Sequence, residues 1–200
     1  MVSEGPDQEK SNKAIRYILN RLNKELKEDL FYHGIHHTID VMNACKEILK
    51  YENSVSEEDA NVLFVAAAYH DCGFLNTYRN HEEAGCEIAR SFLTEIQFDE
   101  NKIDQIEKII MSTKLPQSAD NKLEQILCDA DLDYLGGDKF DEISDSLRRE
   151  FLTYGIIDES VNWTDFQLDF FDNHHYWTDY AIRYRKPGKD AVIERLKSES

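Results

Sequence analysis

Apolar residues recur every three or four positions along most of this chain, interrupted by short polar breaks. Over residues 10–28, Ile15, Ile18, Leu19, Leu22 and Leu26 mark one face of an amphipathic helix. A second predicted helix covers 35–51, with Val41, Cys45, Ile48 and Leu49 inward. Ser56 followed by Glu57, Glu58 and Asp59 reads as an N-cap with an acidic first turn. The stretch 62–68 is apolar at every position, too continuous for a surface helix; it is expected at the centre and to end at Gly73. Helical spacing continues over 81–94, 100–112, 120–135 (before Gly136-Gly137), 140–154 and 164–185, and a short tail helix is expected after Pro187-Gly188. No window alternates with period two, and no low-complexity linker divides the chain. One all-α domain over residues 1–200 is the expectation.

Composition narrows the classes of function. With 8 Gly and 3 Pro in 200 residues, breakers are too few for a strand-and-turn architecture. The longest apolar run, 62–69, falls far short of the ~20 residues that span a bilayer, and the first twelve residues are polar rather than a secretory leader. A cytoplasmic chain without a membrane partner is expected. Forty acidic against 23 basic residues give a formal charge of −17, a surface that repels nucleic-acid backbones. A small phosphorylated ligand remains compatible with it, because a bound divalent cation dominates its local field. Cys45, Cys72, Cys86 and Cys128 form no CxxC pair and sit among apolar or small neighbours, as reduced, partly buried thiols do.

The informative residues are those that break the apolar pattern. His37 lies four positions before Val41 and eight before Cys45, so it points inward with them. His70 and Asp71 end the central apolar run, and Asp131 shares a stripe with Leu127 and Leu135 where another Leu is expected. An ionised Asp buried alone costs several kcal/mol, roughly, unless it is paired or coordinated. Two imidazoles and two carboxylates relieve that cost either as ion pairs or by sharing one divalent cation. Their nitrogen and oxygen donors suit manganese, iron, nickel, zinc or, less well, magnesium.

The order His37, His70-Asp71, Asp131 resembles the H…HD…D signature of the HD-domain superfamily of metal-dependent phosphohydrolases. The flanks are similar too: His37-Thr38-Ile39-Asp40-Val41, Ala66-Ala67-Ala68-Tyr69 running into His70-Asp71, and the segment from Asp129 to Gly136. The likeness spans about 30–140 and implies a helical core with the metal at its centre, residues 140–200 packing on it. It favours Asp131 as the last ligand; Asp133 is then solvated or outside the ligand shell, and Asp129 is either. Asp71, beside a ligand, would both coordinate and orient the attacking water. Tyr32-His33-Gly34-Ile35-His36-His37 resembles a stretch of cyclic-nucleotide phosphodiesterases whose earlier histidine is the general acid, which implies that role for His33 and leaves His36 solvated. His81, in His81-Glu82-Glu83-Ala84-Gly85, matches a helix of two-metal relatives and is a further catalytic candidate. Those relatives carry another histidine where this chain has Ser112, so a single metal is expected.

Few basic residues stand near these positions. Arg79 and Lys114 are the candidate phosphate contacts, with Arg183, Arg185 and Lys186 clustered further on. The aromatic stretch 163–184, with His174 and His175, reads as packing over the metal cavity or as a stacking wall for a ring. The acidic stretch 138–150 reads as a solvated helix face. The resemblance implies a phosphohydrolase acting on a small nucleotide or related metabolite, with a homo-oligomer allowed. The competing readings are a regulatory helical module with a structural metal and, from the resemblance to HD relatives that hold two irons, an oxygenase, against which Ser112 in place of a histidine argues.

Overall fold

The structure, a computed structural model, describes residues 6–199; residues 1–5 of the polar opening segment lie outside them, as does Ser200. Among the described residues there are ten α-helices and no strand: α1 (Pro6–Glu25), α2 (Ile35–Leu49), α3 (Glu57–Tyr69), α4 (His81–Glu95), α5 (Glu100–Met111), α6 (Lys122–Asp131), α7 (Phe140–Thr153), α8 (Trp163–Asn173), α9 (Asp179–Tyr184) and α10 (Lys186–Glu199). Short 3-10 turns, Cys72–Leu75 and Asp133–Gly136, follow α3 and α6. The fold class is all-α. No helix among the described residues is long and apolar enough to cross a membrane.

Helix α3 sits in the middle because nothing on its later turns needs water: Val65, Ala66, Ala67, Ala68 and Tyr69 are fully buried. Helices α1, α2, α4, α5 and α6 pack around it, their apolar stripes joining one continuous core. Its first turn is capped by Ser56, whose Oγ accepts the Asp59 N–H at 3.1 Å. The last helices gather on a smaller cluster of Leu132, Leu135, Phe140, Phe171 and Leu196, which lies at the end of α6. A Cβ on Gly136 would meet the Arg185 carbonyl oxygen at 2.0 Å, so glycine alone permits the approach of the α9–α10 junction to the turn after Asp131.

Four expected boundaries are corrected. The helical spacing of 164–185 is broken at 174–178: the buried Asp129 carboxylate accepts the backbone N–H groups of Trp177 (3.0 Å) and Thr178 (2.7 Å), and Thr178 then caps a new helix. Helix α3 stops at Tyr69, with His70 as its C-cap, before Gly73 is reached. The helix expected over 120–135 ends at Asp131 and tightens into a 3-10 turn. The tail helix begins at Lys186 and takes Pro187 into its first turn, where a missing N–H costs nothing.

Candidate metal centre and the hollow beside it

Three helix ends converge. His37 comes from the first turn of α2, His70 from the end of α3 and Asp131 from the end of α6; one ligand atom of each lies within 4.8 Å of the other two. His37 Nε2 stands 3.1 Å from Asp131 Oδ1 and 3.4 Å from His70 Nε2. His70 directs its Nδ1 hydrogen at the Ala67 carbonyl (2.8 Å), which leaves the Nε2 lone pair facing the cluster. Asp71 brings its Oδ2 to 3.4 Å from His37 Nε2 and 3.2 Å from His70 Nε2. That oxygen is buried and has no hydrogen-bond partner. An orphaned anionic oxygen beside two imidazole nitrogens is the donor set a divalent cation satisfies, so these residues fit one.

The same closeness sets the protonation of the metal-free protein. Burial works against charge on His70, yet Asp71 and Asp131 outweigh it and hold the imidazole well above its ordinary value. Burial likewise opposes the Asp131 anion, and the two histidines pull its carboxyl down to about 2. Asp131 is steadied from behind by Gln117, whose Nε2 donates to Oδ2 at 3.2 Å.

Around this cluster the chain lays further titratable groups. His81, the first residue of α4, has Nε2 at 3.3 Å from Asp71 Oδ1. It is there because Gly73 packs on it: a Cβ at Gly73 would lie 1.8 Å from the His81 carbonyl oxygen. The Phe74 ring stacks on both His33 (4.2 Å) and His81 (4.0 Å). His33 is held by Glu150, which accepts from its Nδ1, from its backbone N–H (3.0 Å) and from that of Tyr32 (2.7 Å), while Tyr78 donates its hydroxyl to the same carboxylate at 2.8 Å. Burial opposes the Glu150 anion, but His33 and the two backbone donors keep its carboxyl below the ordinary range. Glu150 is fully buried, which corrects the reading of 138–150 as a wholly solvated face.

A hollow of about 420 Å³ opens from the cluster, lined at its inner end by His33, Asp71, His81 and Asp131 and beyond them by aromatic residues of α7 and α8. A second hollow, of about 790 Å³, reaches the cluster at His37; Tyr32, Asp131 and Tyr134 border both.

The sequence model of the HD domain family matches residues 34–133, half of the chain. The chain belongs to the HD domain family. HD domains bind divalent metal ions, and His37, His70 and Asp131 are positioned to form such a site. A crystal structure from an uncultured Thermotogales bacterium, described as a predicted HD superfamily hydrolase, is similar at 25% identity with a TM-score of 0.59, over 92% of this chain and 89% of that one. A protein of Lactobacillus plantarum shares the fold at 19% identity and a TM-score of 0.65, over 100% of this chain and 98% of its own. No curated protein matches.

Other positions singled out from the sequence of this HD domain fall elsewhere. Arg79 is exposed and does not line the hollow. Lys114 does line it, but its ammonium is paired with Glu83. Arg185 is taken up by Asp133 at 2.6 Å and Lys186 by Asp190 at 2.5 Å, so neither is a free phosphate contact. Asp129 holds the 174–178 loop, not the cluster, and burial lifts its carboxyl to about 6. His36 is exposed, and His174 lies against Lys189, whose Nζ sits 2.9 Å from its Nδ1. Ser112 donates its hydroxyl to the Ile109 carbonyl (2.7 Å) and packs on Cys128. Glu150, expected only as part of a solvated acidic face, and Gln117 are functional positions that the sequence does not single out. Glu150 carries a signal, because Ile143, Leu147, Glu150 and Tyr154 share one helical stripe, a carboxylate among apolar neighbours as at Asp131. Gln117 lies in a loop with no such pattern.

Proposed function

We propose that this HD domain is a metal-dependent phosphohydrolase cleaving a phosphoester of a small metabolite, nucleotides being the class its family likeness suggests, with an activated water. The observation that carries the reading is the partnerless Asp71 Oδ2, set between two imidazoles at the inner end of a hollow that also holds His33. His37, His70, Asp71 and Asp131 would hold one divalent cation: manganese, iron, nickel, zinc or magnesium. Bound there, it would supply an acidified water and positive charge for the phosphoryl oxygens.

The rest falls to the chain. Glu150 engages Nδ1 of His33, so the proton the ring would pass to the leaving oxygen travels through Nε2. Asp71 faces the imidazoles with one oxygen and His81 with the other, joining the ligand set to a second imidazole at the edge of the hollow. Four unbridged cysteines suit the reducing cytoplasm as its location.

Purified protein assayed on a broad phosphoester panel with each metal in turn, with Asp71→Ala as the blank, tests the reading. Turnover that needs metal and vanishes in the blank is expected; full activity in metal-free protein ends it.

A further inference from the structure

The hollow changes character along its length. Its inner end is charged, whereas Phe140, Leu147, Phe151, Trp163, Phe166 and Phe170 dominate the part built by α7 and α8. The polar side chains those two helices add are Ser144 and Gln167, and they are engaged. Gln167 Nε2 donates to Ser144 Oγ at 2.8 Å, and the Trp163 indole N–H donates to the same oxygen at 3.0 Å. Trp163 and Phe166 stack at 5.2 Å, with Phe151 edge-on to both, so the three rings brace one another into a stiff wall.

Charge points the same way. Lys114 is the sole lysine or arginine among the lining residues described, and it is paired with Glu83, while Asp71, Glu82 and Asp131 present carboxylates. A second or third phosphate would meet those carboxylates without a guanidinium to answer it. The polar edge of a nucleobase buried against phenylalanine and leucine would go unpaired, at roughly 1–3 kcal/mol per group.

Resting on the phosphohydrolase reading, we propose that the substrate is a phosphomonoester of an uncharged aromatic alcohol or phenol, its ring laid on the Trp163–Phe166 wall. Water oxygen bonds to phosphorus and the ester P–O bond breaks with its electron pair on the leaving oxygen; that oxygen takes a proton from His33, and the proton given up by the water restores the ring, so the products are the free hydroxyl compound and inorganic phosphate. The wall supplies selectivity through the leaving group, and the charged end accepts one phosphoryl group.

Two measurements test this separately from the chemistry. Titration calorimetry of the metal-free full-length protein with 2-naphthol and with adenosine reads the chamber alone. Turnover of 2-naphthyl phosphate, deoxyadenosine monophosphate and ATP with manganese reads the substrate. The expected result is binding of 2-naphthol over adenosine, weakened about tenfold in Phe166→Ala, a loss of about 1.4 kcal/mol. Phe166 is 38% exposed, so its truncation leaves the core intact. In turnover, 2-naphthyl phosphate is expected to exceed the mononucleotide in kcat/KM by about a hundredfold, with ATP inert. Adenosine binding more tightly than 2-naphthol, or the mononucleotide or ATP being the better substrate, overturns the proposal and leaves the phosphohydrolase reading standing. Binding of 2-naphthol with no turnover of any phosphoester under any metal sinks the phosphohydrolase reading and leaves an apolar ring site.

Discussion

The carboxylate of Glu150 grips His33 from 117 residues further along the chain, accepting from its Nδ1 and from two backbone N–H groups beside it. The residue that orients the imidazole thus belongs to α7, beyond the stretch that matches the HD domain. Replacing Glu150 by Gln keeps the shape and removes the charge. The expected outcome is a fall in kcat of about 10–100-fold with metal content unchanged, checked by steady-state kinetics beside metal analysis.

The same contact makes stability depend on pH. The Glu150 carboxyl is held below its ordinary value of 4.5, burial opposing and His33 favouring the anion. A carboxyl lowered on folding contributes stability that is complete above 4.5 and drains away as the pH falls through its folded value. Thermal melting between neutrality and acid should therefore fall more steeply below that point in the native protein than in Glu150→Gln. Equal slopes would refute it.

Ligand and proton donor are separable by substitution. His70→Ala and Asp71→Ala should lose both bound metal and activity, since each opens the cluster from the buried side. His33→Ala should retain metal and lose roughly 10²–10⁴ in rate, the usual worth of a placed acid. Elemental analysis of the three purified variants beside their kinetics decides it.

Gly73 sets the position of α4. An added methyl would sit 1.8 Å from the His81 carbonyl oxygen and 2.8 Å from the Gly85 nitrogen, so the helix has to back away. Gly73→Ala is expected to cost about 1–3 kcal/mol and to draw His81 off Asp71. A melting curve gives the first, and a crystal structure of the variant the second.

What the sequence discloses here follows from how local each cause is. Helices α2 to α6 are legible because their apolar stripes and caps lie within their own residues, and His37, His70, Asp71 and Asp131 stand out against those stripes. The break at 174–178 is illegible because its cause, the Asp129 carboxylate, is supplied from α6 while the aromatic spacing runs on undisturbed. Glu150 is masked by acidic neighbours that are solvated, although its own stripe is apolar. Lys114 and Arg185 look free in one dimension, and their carboxylate partners, Glu83 and Asp133, are brought to them only by folding.

Tyr32, Asp131 and Tyr134 line both the aromatic chamber and the larger hollow, which carries Asp40, Glu47, Asp138 and Glu142. Lys139 and Arg185 also line that hollow, so its carboxylates outnumber its cations without standing alone. The cluster is therefore bordered by open space on two fronts, so a molecule that fills the aromatic chamber still leaves its His37 flank uncovered.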